Sequence, residues 1–324
     1  MANTLILSAG RRVELVQNFQ RVAHERNKQA SIVAADADPL APALYAADNW
    51  SLIERVGAPT YIENLVELIR KFNIKLVVPT IDTELPTLAL HREHIEELTG
   101  AKVLVADVNT ISICADKVRT SEVILEAGFA VPALITEPAQ IPQSAFPVFV
   151  KPREGSSSIG AAAVQNTDQL TTALRNTVNP MVQEIATGEE YTLDCFSDFS
   201  GRPLSIVPRQ RIATRAGEIS KGKIMRVPQI ETEARELLSR LCIPGPSTIQ
   251  CFWDQRTVQF IEVNARFGGG VPMSIAAGSD SIDKLFRLLQ GEELEYDDSF
   301  TKDLTFLRYD QAICIGPSGE KVTQ

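Results

Sequence analysis

The sequence predicts an α/β domain with a parallel sheet over residues 1–108, followed by an α+β region over 109–324. Three observations carry this prediction. Short apolar runs alternate with helix-period segments up to residue 108, the runs beyond about 180 read mostly as strands, and 324 residues exceed one ordinary core.

In the first region "TLILS" (4–8) and "SIVAAD" (31–36) flank the helix-period stretch "RRVELVQNFQRVAHER". "YIENLVELIRKFN" then precedes "KLVVPT", and "ELPTLALHREHIEEL" precedes "KVLVA". Strands separated by amphipathic helices of this length read as βαβ units. Ligands of such sheets sit at the carboxyl ends of the strands, where "SAGRR" (8–12), "DADP" (36–39) and "TIDTE" (80–84) fall. The first turn lacks G-x-G-x-x-G, so the dinucleotide fingerprint is missing. His91 and His94 lie three apart among charged neighbours; without H-E-x-x-H they read as a solvated helix face.

From 109 the texture changes. "NTISICADKVRTSEVILEAG" reads as two short helices, with Asp116 as an N-cap and Gly128 as a C-cap. "VPALITE" and "FPVFVKP" read as strands, then come the small-residue loop "REGSSSIG" and "AAAVQ". After 180, "MVQEIAT", "EEYTLDCFSD", "RPLSIVPRQR", "STIQCFW" and "TVQFIEVNA" read as strands. One helix, "ETEARELLSRLC", interrupts them, "SIDKLFRLLQG" follows, and no internal repeat is visible.

Composition narrows the function classes. With 44% hydrophobic and 23% charged residues, the chain is globular rather than disordered. A net charge of −9 argues against general nucleic-acid binding, which needs a basic face. The five cysteines are widely spaced without a C-x-x-C pair and read as buried thiols in a reducing compartment. No apolar run is long enough to span a bilayer and no signal-peptide pattern opens the chain, so the expected location is cytoplasmic.

Several stretches carry candidate chemistry, each beside a plainer reading. Lys151 ends an apolar strand, and Gly155, Ser156, Ser157, Ser158 and Gly160 could cradle a phosphate or form a surface hairpin. Lys117 sits just after an N-cap, where helix ends favour anions; a bound polyphosphate would reverse that penalty, and a solvated lysine is the alternative. Gln183 and Glu184 end a strand that could read a purine edge. Glu190, six residues beyond Glu184, could accept ribose hydroxyls or stay a surface charge. In "FIEVNARFGGG" (260–270), Glu262, Asn264 and Arg266 alternate with apolar residues and so share one strand face. With Gln250 one strand upstream, their oxygens suit Mg²⁺ held by few protein ligands and substrate phosphates. The alternative is a Glu262–Arg266 salt bridge.

Taken in order, Lys117, Lys151 with its Gly/Ser loop, "QEIATGEE", Gln250 and "EVNAR" resemble an ATP-grasp enzyme. The similarity is to single-copy proteins like one half of the carbamoyl-phosphate synthase large subunit, including the pyrrolysine-biosynthesis ligase type. "LILSAGRRVELV", "ADADPLAPALYAAD" and "VVPTIDTEL" resemble the pre-ATP-grasp domain of that group. The resemblance implies a pre-ATP-grasp domain (1–108), a small ATP-grasp subdomain (109–186) and a large one (187–324). It implies that Lys117 and Lys151 contact ATP phosphates and that residues 155–160 close over them. Gln183, Glu184 and Ala186 would line the adenine, partly through backbone groups, and Glu190 would hold the ribose. Gln250, Glu262 and Asn264 would bind one or two Mg²⁺ (or Mn²⁺), although Gln250 stands where many relatives have an acid. Arg266 would steady the transferred phosphoryl group, with Lys151 beside it.

The reaction so implied joins a small-molecule carboxylate to an amine or ammonia through an acylphosphate. Alternatives are a carboxyl- or carbamoyl-phosphotransferase and an ATP-binding regulator without turnover. Position alone suggests Arg11, Arg12, Asp82 and Glu84 for the substrate. Neither nucleic acid nor membrane is an expected partner, and a homodimer is compatible with the reading.

Overall fold

The computed structural model describes residues 3–155, 160–215, 217–317, 319 and 321–322. The first domain comprises β1 (Asn3–Ile6), α1 (Val13–Arg26), β2 (Ile32–Asp36), β3 (Asn49–Leu52), α2 (Tyr61–Lys71), β4 (Ile74–Val78), α3 (Leu85–Thr99) and β5 (Lys102–Val103). Its five strands are parallel in the order β3-β2-β1-β4-β5. Helix α1 buries Leu15, Val16, Phe19, Val22 and Ala23, one stripe at helical spacing. The chain order reverses at β1, whose neighbours are β2 and β4, so a crevice opens beyond the ends of β1 and β4. Strand β3 was not expected: "NWSL" has no apolar run, and as an edge strand it leaves Trp50 and Leu52 exposed.

Helices α4 (Val108–Ala115) and α5 (Lys117–Glu126) follow as expected, capped by Asp107 and Asp116. Ile111 and Ile124 share a core with Phe260 and Val263 of the large sheet. "VPALITE", expected as a strand, makes only an isolated bridge between Leu134 and Gln183. Pro132 offers no N–H to a ladder, so pairing does not extend there.

Strands β6 (Val148–Pro152), β7 (Ala162–Val164) and β8 (Pro180–Glu184), with α6 (Thr167–Asn176), form a small lobe ordered β7-β6-β8. It has its own core of Val148, Val150, Val164, Leu170 and Val182. Helix α6 had no clear sequence signal, because Leu170 is its one buried residue.

The large lobe contains β9 (Glu189–Ser197), β10 (Pro203–Arg215), β11 (Glu218–Ile224), α7 (Pro228–Leu241), β12 (Gly245–Trp253), β13 (Val258–Asn264), α8 (Val271–Ala276), α9 (Ser281–Leu289) and β14 (Thr305–Leu307). Its strands are antiparallel, ordered β13-β12-β9-β10-β11-β14. The register sets Arg209 opposite Thr192, Thr192 opposite Gln250, and Gln250 opposite Glu262. Directly opposed residues share a sheet face, so this is one polar row across four strands.

The first domain packs directly on the large lobe. Phe19 meets Phe267 and Phe286 edge-on, with ring centroids 5.6 and 6.1 Å away. Each such pair contributes about 0.5–1.5 kcal/mol beyond area burial. Among the described residues, no helix is long and apolar enough to cross a membrane.

Candidate functional site

Two adjoining cavities lie where the three parts meet. The larger, about 820 Å³, lies between the small lobe and the large sheet. Phe149, Ile185, Phe252 and Ile261 give it apolar walls, and Lys117, Lys151, Gln183 and Glu190 supply polar groups. A mostly apolar cleft of this size with few polar groups is typical of small-molecule sites.

Local structure explains how the cations arrive there. Asp116 caps α5 by accepting from Val118 N at 2.9 Å, which starts the helix at Lys117. Lys117 is buried, and its Nζ donates to Gly155 O at 2.6 Å. Lys151 points inward from β6 through strand alternation and is also buried. Burial lowers its pKa to about 8; Glu262 opposes that shift and Lys117 adds to it. A bound polyanion would relieve the repulsion between two such ammonium groups. Glu190, its pKa raised by burial, is held by Arg211 Nε at 2.9 Å.

The residues proposed from sequence for a divalent cation converge. Asn264 places one terminal amide atom 2.9 Å from Asp82 Oδ1 and 3.3 Å from Glu262 Oε1. With nitrogen there, the amide donates to both carboxylates. With oxygen there, an amide oxygen joins two carboxylate oxygens, a set that suits a hard cation. No cluster of three or more His, Cys, Asp or Glu side chains able to hold a metal occurs among the described residues. A site of a few protein oxygens completed by ligand phosphates is the Mg²⁺ pattern rather than a full protein cage, and the residues fit it.

The second cavity, about 320 Å³, opens at the crevice of the first domain. Six guanidinium groups line it, those of Arg11, Arg12, Arg209, Arg211, Arg266 and Arg308, against the acids Glu14, Asp82, Glu218 and Glu262. Gln250 and Glu262 line both cavities, so the two meet at the proposed cation ligands. Gly270 admits Arg209: a Cβ there would stand 2.4 Å from the guanidinium carbon.

The structure therefore brings together Lys117, Lys151, Gly155, Gln183, Ala186, Glu190, Gln250 and Glu262 at the larger cleft. Arg11, Arg12, Asp82, Asn264 and Arg266 gather at the smaller cavity. Two residues depart from expectation. Glu184 ends β8 with an exposed side chain outside the cleft lining, because the strand turns its neighbour Gln183 inward. Glu84 is buried below the crevice, accepting from Tyr61 Oη at 2.6 Å and Ser8 Oγ at 2.9 Å, and lines neither cavity. Ser156, Ser157 and Ser158 lie outside the described residues. Arg266 pairs with Asp82 at 2.6 Å, in place of the Glu262–Arg266 bridge weighed from sequence. Arg209, Arg211, Arg308 and the apolar walls were missed. The alternation of Arg209 and Arg211 in "VPRQR" was the available signal, of the same kind as Glu262 and Asn264.

A parallel α/β domain followed by a small and a large antiparallel lobe around a cleft is the ATP-grasp architecture. Residues 4–104 match the PylC-like N-terminal domain and residues 114–270 the ATP-grasp domain, so the chain is a PylC-like domain joined to an ATP-grasp domain. It is 34% identical over 111 residues to the D-alanine–D-alanine ligase of Alcanivorax borkumensis, covering 33% of this chain and 34% of that one. The match thus spans about a third of that curated relative's length. N5-carboxyaminoimidazole synthetase from Staphylococcus aureus, complexed with ADP, superposes with a TM-score of 0.75 at 14% identity, over 95% of this chain and 82% of that chain. A biotin carboxylase–β,γ-ATP complex from Campylobacter jejuni gives 0.74 at 15%, over 94% and 74%. These likenesses establish the fold.

Proposed function

We propose that the protein is an ATP- and Mg²⁺-dependent ligase that joins a carboxylate to an amine or ammonia through an acylphosphate. The observation that carries the reading is that Gln250 and Glu262 line both cavities, so a phosphate in one faces an acid in the other. In this reading the clamp divides near residues 108 and 186. The larger cleft takes ATP, with adenine toward Gln183 and Ala186, ribose toward Glu190, and phosphates at Lys117, Lys151 and the loop from Gly155.

A carboxylate oxygen of the acid attacks the γ-phosphorus, and the bond to the β,γ-bridging oxygen breaks to leave ADP. The amine nitrogen then attacks the acyl carbon, phosphate leaves with the former carboxylate oxygen, and the nitrogen loses a proton. Lys151 and Arg266 hold the transferred phosphoryl charge, and Asp82 orients Arg266. Mg²⁺ (or Mn²⁺), held by Glu262 and Asn264 with Gln250, would neutralise phosphate charge. Phosphoryl transfer relies on such positioning and charge neutralisation. The relatives named ligase and synthetase support this reading, as does the ADP of one structural neighbour. Soluble small-molecule substrates suit a cytoplasmic enzyme.

The test is ADP release with paired amino acids and amines, beside thermal melts with Mg-ATP. Release that requires both an acid and an amine supports the ligase. Nucleotide stabilisation without release from any pair would favour a regulator.

A further inference from the structure

The smaller cavity holds a cation that the ligase chemistry leaves unused. Arg12 Nη2 donates to Thr80 O at 2.8 Å, while Nη1 has no partner. Its neighbours in the cavity are otherwise paired. Arg266 meets Asp82, Arg211 meets Glu190, Arg209 meets Asp194, and Arg308 meets Glu14 and Glu218. Among the described residues, Arg12 has no carboxylate within ion-pair distance. Burial and nearby Arg266 lower its pKa to about 10, and the attraction of Glu218 and Asp82 offsets this only in part. Arg209, 1% exposed, likewise keeps an unpartnered Nη1 in the wall of the same cavity. Arg12 is half-buried, with its Nη1 out of water and unpartnered, a cost that an incoming anion removes.

Arg12 enters the cavity from a different side of the fold than the proposed cation ligands, although Arg266 and Asp82 are near enough to act on its charge. It stands on the turn after β1, in the first domain, whereas Glu262 and Asn264 stand on β13 of the large lobe. A cavity of about 320 Å³ suits a ligand the size of an amino acid or short dicarboxylate.

We infer that the substrate of this cavity carries a second anionic group, carboxylate or phosphate, distinct from the reacting carboxylate, and that Arg12 binds it. This rests on the ligase reading for the identity of the reacting group. A neutral or cationic tail would leave Arg12 unpaired, so the cavity selects against simple monocarboxylates.

Thermal melts in Mg-ADP test binding with four- to six-carbon dicarboxylates, chain-matched monocarboxylates and matched phosphorylated acids. ADP release is followed with the same acids and an amine panel. Dianions are expected to raise the melting temperature more than monoanions, and the preferred dianion class separates carboxylate from phosphate. Arg12→Met is expected to abolish that difference and raise KM for the dianion about 10–100-fold with a smaller change in kcat. Arg12→Lys should recover part of the affinity, and it keeps the test open if the methionine variant does not fold.

Equal shifts for mono- and dianions, or an Arg12→Met variant that keeps its preference, would overturn the inference. A dianion preference in the melts without ADP release from any pair would support it and fail the ligase reading alone. Turnover indifferent to the second charge would fail it and leave the ligase reading standing.

Discussion

Arg266 Nη2 donates to Asp82 Oδ2 at 2.6 Å, tying the end of β13 to the turn after β4 across 184 residues of sequence. The pair is mostly buried, and the other Asp82 oxygen lies 2.9 Å from the Asn264 amide. One aspartate of the first domain thus sets both Arg266, proposed to hold the phosphoryl group, and Asn264, a proposed cation ligand. Asp82→Asn keeps the shape but leaves Arg266 without its charge partner. Breaking a partly buried pair costs roughly 1–3 kcal/mol, and each kcal/mol lowers the melting temperature by about 2–4 °C. The variant is expected to melt several degrees lower and to release ADP more slowly. An unchanged melt with unchanged turnover would make the pair incidental.

Glu262→Gln separates binding from turnover. The substitution removes a charge where the two cavities meet and leaves Gln183, Ile185 and Phe252 in place around the larger cleft, the proposed nucleotide site. Removing one preorganised electrostatic stabiliser costs about 10²–10³ in kcat. ADP release is expected to fall by at least that much, while nucleotide still binds with lower affinity. Calorimetric Kd values beside ADP release for wild type and variant check this, and full turnover would move the cation site elsewhere.

The lowered pKa of Lys151 gives a pH dependence of known sign. Its folded pKa is about 8, against 10.5 when unperturbed. Between those values the unfolded chain binds more protons, so this group makes stability rise with pH from about 8 to about 10.5. Below pH 8 the ammonium is buried in full, and its cost is constant. Bound triphosphate favours the ammonium, so nucleotide affinity should fall as pH rises above 8, with proton uptake on binding. Titrations at pH 7, 8 and 9 in two buffers of different ionisation enthalpy measure both effects. Lys151→Met should remove the rise in ligand-free stability, and affinity independent of pH would separate Lys151 from the phosphates.

Much of the site was legible because strand alternation is a local signal. Glu262 and Asn264 on one face, Lys151 at a strand end and Asp116 capping the helix that starts at Lys117 all follow from period and capping. The polar row Arg209–Thr192–Gln250–Glu262 depends on register across four strands, which sequence spacing does not reveal. Glu84 looked like a substrate ligand because it sits in the "TIDTE" turn, yet its residue turns under the crevice to Tyr61 and Ser8. Burial pushes its pKa up to about 7, against the opposing effect of those hydrogen bonds. The edge strand β3 and helix α6 escaped notice because neither presents a full apolar face. Arg12 was legible only as a position, since the unpartnered state of its Nη1 is a tertiary fact.

The central claim is that a carboxylate oxygen passes to the γ-phosphoryl group before an amide forms. Its most direct test is turnover of an ¹⁸O-labelled carboxylate with ATP and an amine, followed by mass spectrometry of the released phosphate. The account predicts ADP, not AMP, and one ¹⁸O atom from the acid in each phosphate. Unlabelled phosphate, or AMP with pyrophosphate, would contradict it.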